Sequence, residues 1–584
     1  VPTLVGAAIF FTGIYWGLPT RAGDRFLFPA GDAWDGKRIL AEGGTVVADP
    51  KRGADQDATP DVRPDGVLNA TPADRAQIVR RYRLFSHQPD EMVTFMALAG
   101  MRGTLDPRMY QYGGLWVYPV GGLIKLTLSP KADLAHYLDR PEEFGKFYVV
   151  ARAYSAAWGL VGIWTVYLLA WRLTANARLA AIAGLAFALL PVVVNGAHEA
   201  KPHLAGAVLV LLTVLMATRY VDRGRWRDAL VAGACAGAAM GMVLSSGVAF
   251  LVLVAMVWLR RAGATESGAA LRPEPVHSAS ACFDPPHRAP APWRACAGAI
   301  VTGLLVYCIT NPFVPINLFR NPAVLKSNLG GLGQAKAITG RFDGSPAAVS
   351  AGVLIAEGTS PLLAVAGVVA VIGLAGRAVV RRRVAPGAAL LAVPCVVVLI
   401  QFVALAGGKT GEFGRFAILV DVGLLMATVI GVSVVIGKGP RPMQLGATVV
   451  IGLMVAPYGL SYVSGYVRDC DWTESTRARA AARLAELAAV HKDRPPLLLA
   501  LADDPAPYNL PPADVAGWEI ALRRPLAGRE PAVIVRPVDV PNPSPRDGDY
   551  VRETIVPRGW GFANRISWAD KPIELLIRRD LVGQ

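Results

Sequence analysis

The chain of 584 residues is 53% hydrophobic and only 18% charged, with a mean hydropathy of +0.39. A water-soluble enzyme carries about 25% charged residues, and the apolar residues here fall in blocks roughly 20 long, the length that crosses a hydrocarbon core about 30 Å thick; a soluble globular protein is excluded. The net charge of +15 would point to nucleic acid in a soluble chain, but in a membrane protein it reads first as arginine retained on the cytoplasmic side, and no nucleic-acid partner is expected.

Taken in order, apolar runs occupy about 1–18, 147–171, 177–195, 203–219, 227–243, 248–260, 294–310, 355–376, 385–406, 414–437 and 444–463, which makes eleven candidate spans. No small-residue cleavage site follows the first run, so it reads as a retained span and not as a signal peptide. Little more than Ser245, Ser246 and Gly247 separates the fifth run from the sixth, so the two could equally form one long broken helix. One alternate set of short connections carries 17 Lys and Arg residues, the other only Lys201, Lys409 and Arg415. Positive residues stay inside. The expected protein is therefore multi-pass in the plasma (inner) membrane, with a cytoplasmic N-terminus and everything after 463 outside.

This orientation puts three large segments on the outer face. Residues 19–146 are too long for a connector; they hold a polar tract from Asp49 to Asp74 and amphipathic patterns near 74–85, 90–102 and 113–128. Tyr110, Trp116 and Tyr118 among apolar residues point to helices lying in the interface. Residues 311–354 are polar and glycine-rich, with Asn317, Asn321, Lys326, Gln334 and Lys336 as groups that could cover a site. The tail shows a helix over Ser475–Val490 and strand-like runs at Leu497–Ala502, Ala532–Val535 and Ile573–Ile577. The fold class expected is an all-α polytopic membrane domain over 1–463 and a small soluble α/β domain over 464–584. The loop 261–293, rich in Pro, Ala and Ser, is expected to be disordered. Six cysteines without a CxxC pair predict neither an intramolecular disulfide nor a cysteine zinc site.

One stretch concentrates the chemistry: Ser86-His87-Gln88-Pro89-Asp90-Glu91-Met92, running on to Tyr110-Gln111-Tyr112 and Tyr118-Pro119. Pro89 suits a first helical turn, where its missing N–H costs nothing, and acids favour the positive end of the helix dipole. Asp90 and Glu91 are thus expected at a helix N-terminus on the outer face. The bland reading is a helix cap. The same face also receives His198-Glu199-Ala200-Lys201-Pro202-His203, Asn311-Pro312-Phe313 and Lys409-Thr410-Gly411-Glu412-Phe413-Gly414-Arg415-Phe416. Charges at span ends are commonly anchors, but their gathering on one side favours a site.

A Pro-Asp-Glu opening a helix in a large first outer loop resembles the GT-C glycosyltransferases, in particular the protein O-mannosyltransferase and aminoarabinose transferase group. The Tyr118-Pro119 pair, the Ala197-His198-Glu199 link and the Gly414-Arg415-Phe416 entry to a late span support the likeness, which covers roughly residues 1–465. The resemblance implies an inverting transferase that moves one sugar from a polyprenyl-phosphate carrier to an extracytoplasmic protein, lipid or glycan hydroxyl. It makes Asp90 the general base and Glu91 the group that orients the acceptor or the neighbouring backbone. Lys201, Lys409 and Arg415 become candidates for the donor phosphate, with Arg102, Arg108, Lys336 and Arg341 behind them. His198, Glu199, Tyr112, Tyr118 and Asn311 are the expected substrate contacts. Many members carry an acidic motif between the third and fourth spans, where this chain has Lys201, which counts against a two-carboxylate metal site; His198, Glu199 and His203 are residue types that could bind a divalent ion, but their plainer reading is as residues at helix ends, so no metal or other cofactor is expected. The alternatives are a transporter or flippase for a lipid-linked sugar, which would show internal repeats and mid-span charges, and a scaffold whose tail binds envelope partners.

Overall fold

The computed structural model describes residues 2–44, 49, 51–54, 67–101, 103–131, 133–266, 292–328, 347–381, 385–406, 411–436, 439–491, 496–501, 511–522, 529–538, 547–559, 561 and 566–582. Among them, eight helices are long and apolar enough to cross a membrane. A ninth candidate is the pair Ala177–Leu189 and Pro191–His198, bent by 57°. Pro191 opens its second half; a proline there has no N–H to give the preceding turn, and its ring obstructs it. The bend delivers the link 199–202 to the end of the spans where Gln88 and Glu91 bond to it.

The two other expected runs form shorter helices. Pro2–Phe11 has ten residues and ends in a turn through Gly13 and Gly17, both at positive φ. Trp226–Met242 has 17 residues and is separated from the helix Ala249–Glu266 by a tight turn, Leu244–Val248, so the two do not form one broken span. A Cβ on Gly233 or Gly237 would strike the backbone of Ala299 or Gly303. That close approach fixes Trp226–Met242 against Pro292–Thr310, the small-residue packing that helices use in lipid. The helix Pro141–Thr174 runs for 34 residues, about 51 Å at 1.5 Å per residue, and so projects beyond the hydrocarbon.

The described parts of the first loop and of the tail are folded. Helices Pro72–Leu84, Met92–Gly100 and Gly114–Leu128 replace the three amphipathic patterns of the first loop. In the tail, helix Thr476–Val490 starts at Ser475, whose side chain accepts from Ala478 N–H. A five-stranded sheet follows: β1 Leu497–Leu501, β2 Trp518–Leu522, β3 Val533–Pro537, β4 Tyr550–Ile555 and β5 Ile573–Arg578, in the order β2-β1-β3-β5-β4. The first three strands are parallel, while β5 is antiparallel to both β3 and β4. β2 and β4, not expected from the sequence, are the two edges, where polar residues interrupt the apolar run. Residues 267–291, the greater part of the loop expected to be disordered, lie outside the described residues.

The tail is joined to the first outer loop and to the last span. Leu68 N–H donates to Ile520 O at 2.6 Å, and the buried Asn69 amide bonds Val515 O, Trp518 O and Ile520 N–H, covering the β2 edge. Residues Ile566 to Lys571 are buried. Ile566 N–H donates to the Tyr462 hydroxyl at 3.3 Å, and Ser567 Oγ to the Tyr466 hydroxyl at 2.9 Å.

Candidate functional site

Two consecutive carboxylates face in different directions. Pro89–Glu91 forms a single 3-10 turn ahead of the helix Met92–Gly100, and Gln88 Oε1 accepts from Asp90 N–H. In so tight a turn neighbouring side chains diverge, which sends Asp90 outward and Glu91 inward.

The Asp90 side chain is 43% exposed and meets two cations that are themselves nearly buried. Lys201 Nζ lies 3.1 Å and an Arg415 guanidinium nitrogen 2.9 Å from the same oxygen, Oδ2. Surrounding protein works to raise the Asp90 pKa, but Lys201 and Arg415 outweigh it and hold the carboxyl well below the usual range. Lys201 reaches the site from the link between two spans. Its position is set by Ser155 Oγ, which donates to Glu199 O at 2.7 Å and Lys201 O at 3.2 Å. Arg415 comes from the turn Gly411–Ala417 that opens a late span.

Glu91 is fully buried. Both its oxygens pair with Arg152, at 2.9 and 2.7 Å, and it also accepts from Ser86 Oγ and from Ala200 N–H. Arg152 spends its remaining nitrogen on Ile14 O and Trp16 O and lies over the Trp16 ring. With these bonds in place, Glu91 anchors the 199–201 link and does not face the open side. Gln88 Nε2 donates to Glu199 Oε1 at 2.9 Å, and Lys201 Nζ lies 3.8 Å from the other Glu199 oxygen. Behind this layer, His87 Nδ1 is 2.8 Å from Asp469 Oδ2, with Arg477 3.1 Å away. Burial and the Arg477 charge push the His87 ring below the ordinary imidazole value, against the pull of Asp469.

The structure therefore brings Asp90, Glu91, Glu199, Lys201 and Arg415 together, and it separates several other expected contacts from them. His198 is buried with both ring nitrogens against backbone carbonyls, Val194 O and Thr12 O, and it stacks on Tyr466. Asn311 caps the helix Gly114–Leu128 by accepting from Gly114 N–H, and its amide nitrogen is taken by Gly241 O and Tyr307 O. The Tyr118 hydroxyl donates to Leu105 O. These three hold structure where substrate contact was expected. Tyr112 remains near the site, with its ring edge-on to His203, and His203 in turn packs edge-on to Phe416. Arg108 bonds the backbone of Asp49 and Arg52, away from Asp90. Lys409, Arg102, Lys336 and Arg341 lie outside the described residues. Among the described residues no three His, Cys, Asp or Glu side chains gather as a metal site.

Sequence reading missed Arg152, Ser155 and Gln88. Arg152 did carry a signal, since an arginine within a span pattern is a functional or structural marker by default. Gln88 and Ser155 carried none.

Residues 144–269 match the sequence model of the family described as dolichyl-phosphate-mannose-protein mannosyltransferase. The matched segment contains Arg152, Ser155, Lys201 and His203 and one of the motifs that suggested the GT-C resemblance, Ala197-His198-Glu199, but not Ser86–Pro119. No curated protein matches the chain by sequence. Among solved structures, the Archaeoglobus fulgidus oligosaccharyltransferase AglB, in complex with an inhibitory peptide and a dolichol-phosphate, aligns with a TM-score of 0.40 at 13% identity, over 88% of this chain and 64% of its own. The oligosaccharyltransferase of the same organism with Zn and sulfate aligns with a TM-score of 0.40 at 12% identity, over 88% and 62%. ArnT from Cupriavidus metallidurans bound to undecaprenyl phosphate aligns with a TM-score of 0.39 at 14% identity, over 87% and 97%. The chain thus spans less than two thirds of the length of the archaeal enzymes.

Proposed function

We propose that this chain is a GT-C membrane glycosyltransferase that moves one sugar, with inversion, from a polyprenyl-phosphate carrier to a hydroxyl on the extracytoplasmic side. The observation that carries this reading is Asp90, a half-exposed carboxylate held between Lys201 and Arg415. An anionic leaving group needs cations where its charge develops, and these two stand beside a carboxylate that can accept a hydrogen bond from the attacking hydroxyl. Arg415 adds a planar fork suited to two phosphate oxygens.

In the reaction, the acceptor oxygen bonds to the anomeric carbon as the carbon–oxygen bond to the lipid phosphate breaks. The electron pair stays on the phosphate, beside Lys201 and Arg415. Asp90 orients the hydroxyl and, as general base, takes its proton as the new bond forms. Glu91 acts one layer back: through Ala200 N–H it fixes the link that carries Lys201. The arginine-rich ends of the spans lie in the cytoplasm and the 464–584 segment lies outside. The acceptor is a protein, lipid or glycan, and ordinary membrane lipids surround the spans.

The test is label transfer from radiolabelled polyprenyl-phosphate sugars in membranes containing the native chain or Asp90→Asn at matched expression. Transfer by the native chain that is lost in the variant supports the reading. If neither transfers from mannosyl or aminoarabinosyl carriers, while native membranes translocate those lipids, the transporter alternative replaces it.

A further inference from the structure

In the proposed reaction Lys201 and Arg415 answer for the donor phosphate and Asp90 for the acceptor hydroxyl, which leaves the sugar between them to be recognised. A ligand of this kind is read by a few polar groups set among apolar walls. The other carboxylates beside Asp90, Glu91 and Glu199, are buried and bonded to Arg152 and Gln88. One further polar side chain stands at the same ledge.

His203 follows Lys201 by two residues and opens the span His203–Arg223. It is half-buried, and its ring is held edge-on between Tyr112, at 5.6 Å between centroids, and Phe416, at 4.9 Å. Tyr112 is fixed from both sides: Leu244 N–H donates to Gln111 O and Gly113 N–H to Met242 O, each at 3.0 Å. Phe416 adjoins Arg415, so both cations of the site lead along the chain to this imidazole. Neither ring nitrogen has a hydrogen-bond partner among the described residues, whereas His198 has both engaged. The charged groups that act on the ring are Arg415, Lys201 and Asp90. Two cations against one carboxylate leave it a neutral imidazole, with one N–H to donate and one bare nitrogen to accept. A hydroxyl both donates and accepts, so it matches either nitrogen.

We infer that His203 recognises the donor sugar, hydrogen-bonding one of its hydroxyls while Lys201 and Arg415 hold the phosphate to which that sugar is attached; this rests on the transferase reading above. The donor is assigned here, and not the acceptor, because the ring is joined to both phosphate-holding cations and the sugar is covalently bound to that phosphate. Asp90 keeps its part as the base. Tyr112 and Phe416 fix the imidazole plane, so the hydroxyl is read at one place. A sugar lacking that hydroxyl leaves a polar ring nitrogen unmatched, which is how a site built to bond a hydroxyl rejects its deoxy counterpart.

The experiment uses membranes containing the native chain, His203→Phe or His203→Leu at matched expression. The donors are radiolabelled mannosyl- and aminoarabinosyl-undecaprenyl phosphate and the monodeoxy analogues of whichever is transferred. Both substitutions keep an apolar side chain between Tyr112 and Phe416 without a polar atom, and retention of undecaprenyl phosphate shows which variant is folded. With the native chain, one monodeoxy donor is used about 10-fold less efficiently in kcat/KM than its parent, the worth of one hydrogen bond. In the folded variant the parent loses about the same factor and the deoxy penalty disappears, while lipid-phosphate retention stays native because Lys201 and Arg415 remain. A packing role would lower both donors alike. A native chain that uses every monodeoxy donor as well as the parent overturns the inference. A deoxy penalty that survives in the folded variant overturns it too, as does loss of lipid-phosphate retention in both variants. Absence of transfer from either parent donor by the native chain overturns the transferase reading, and this inference with it.

Discussion

Asp90 and Glu91 are adjacent carboxylates on one turn, and the protein treats them in opposite ways. Glu91 is sealed in, with an arginine fork, a hydroxyl and a backbone N–H fixed on its two oxygens. Asp90 is open to the outside and touches cations that a stronger anion could claim. A buried ion pair that loses one partner leaves an uncompensated charge in a low-dielectric interior, whereas at Asp90 water reaches one side of the pair and screens part of that cost. The same chemical group is thus locked into a buried network at one position and left half-exposed beside two cations at the next, and the contrast can be broken by mutation.

The largest effect is expected at the open carboxylate. Asp90→Asn lowers sugar transfer by about 10²–10⁴-fold while the melting temperature of the solubilised protein falls less than in Arg152→Met, because the Asp90 side is open to water. A loss of melting temperature as large as that of Arg152→Met would erase the contrast. At the sealed carboxylate, Arg152→Met leaves Glu91 buried and unpaired and destabilises the fold by about 3–5 kcal/mol, read as a fall in thermal denaturation midpoint. Adding Glu91→Leu to that variant recovers much of the loss, because two apolar groups replace the charges together. Arg415→Gln removes one charge-assisted bond of about 1.5–3 kcal/mol, so retention of undecaprenyl phosphate weakens by about 10- to 100-fold at unchanged stability. In the layer that joins tail to loop, Asn69→Ala strips three bonds from buried backbone groups and costs about 1–3 kcal/mol, seen as easier proteolysis of the 464–584 segment.

The smallest effect is a pH dependence behind the site. The His87 ring binds a proton less readily in the folded chain than in the unfolded one. Below about pH 6.5 the unfolded chain therefore takes up a proton that the folded chain resists, and stability falls as the pH drops through that value. Melting between about pH 7.5 and 5.5 should fall less in His87→Gln than in the native protein.

The sequence by itself determined the membrane class, eight of its eleven candidate spans and the helical patterns of the first loop, because hydropathy, length and proline placement act locally. It also placed Asp90, Glu91, Lys201 and Arg415 among the candidates. Their separate roles came from the family resemblance and not from composition or spacing. His198 and Asn311 lie in equally polar links, yet the tertiary structure spends both on backbone groups. Arg152, 61 residues from Glu91 along the chain, is its main partner. Likewise the β2 and β4 edges and the Asn69 junction depend on pairing between distant segments. Which carboxylate is sealed and which is open depends on what the other spans bring to each oxygen. Hydrogen bonds across 100 or 300 residues leave no periodicity in the chain, so only the tertiary structure could decide it.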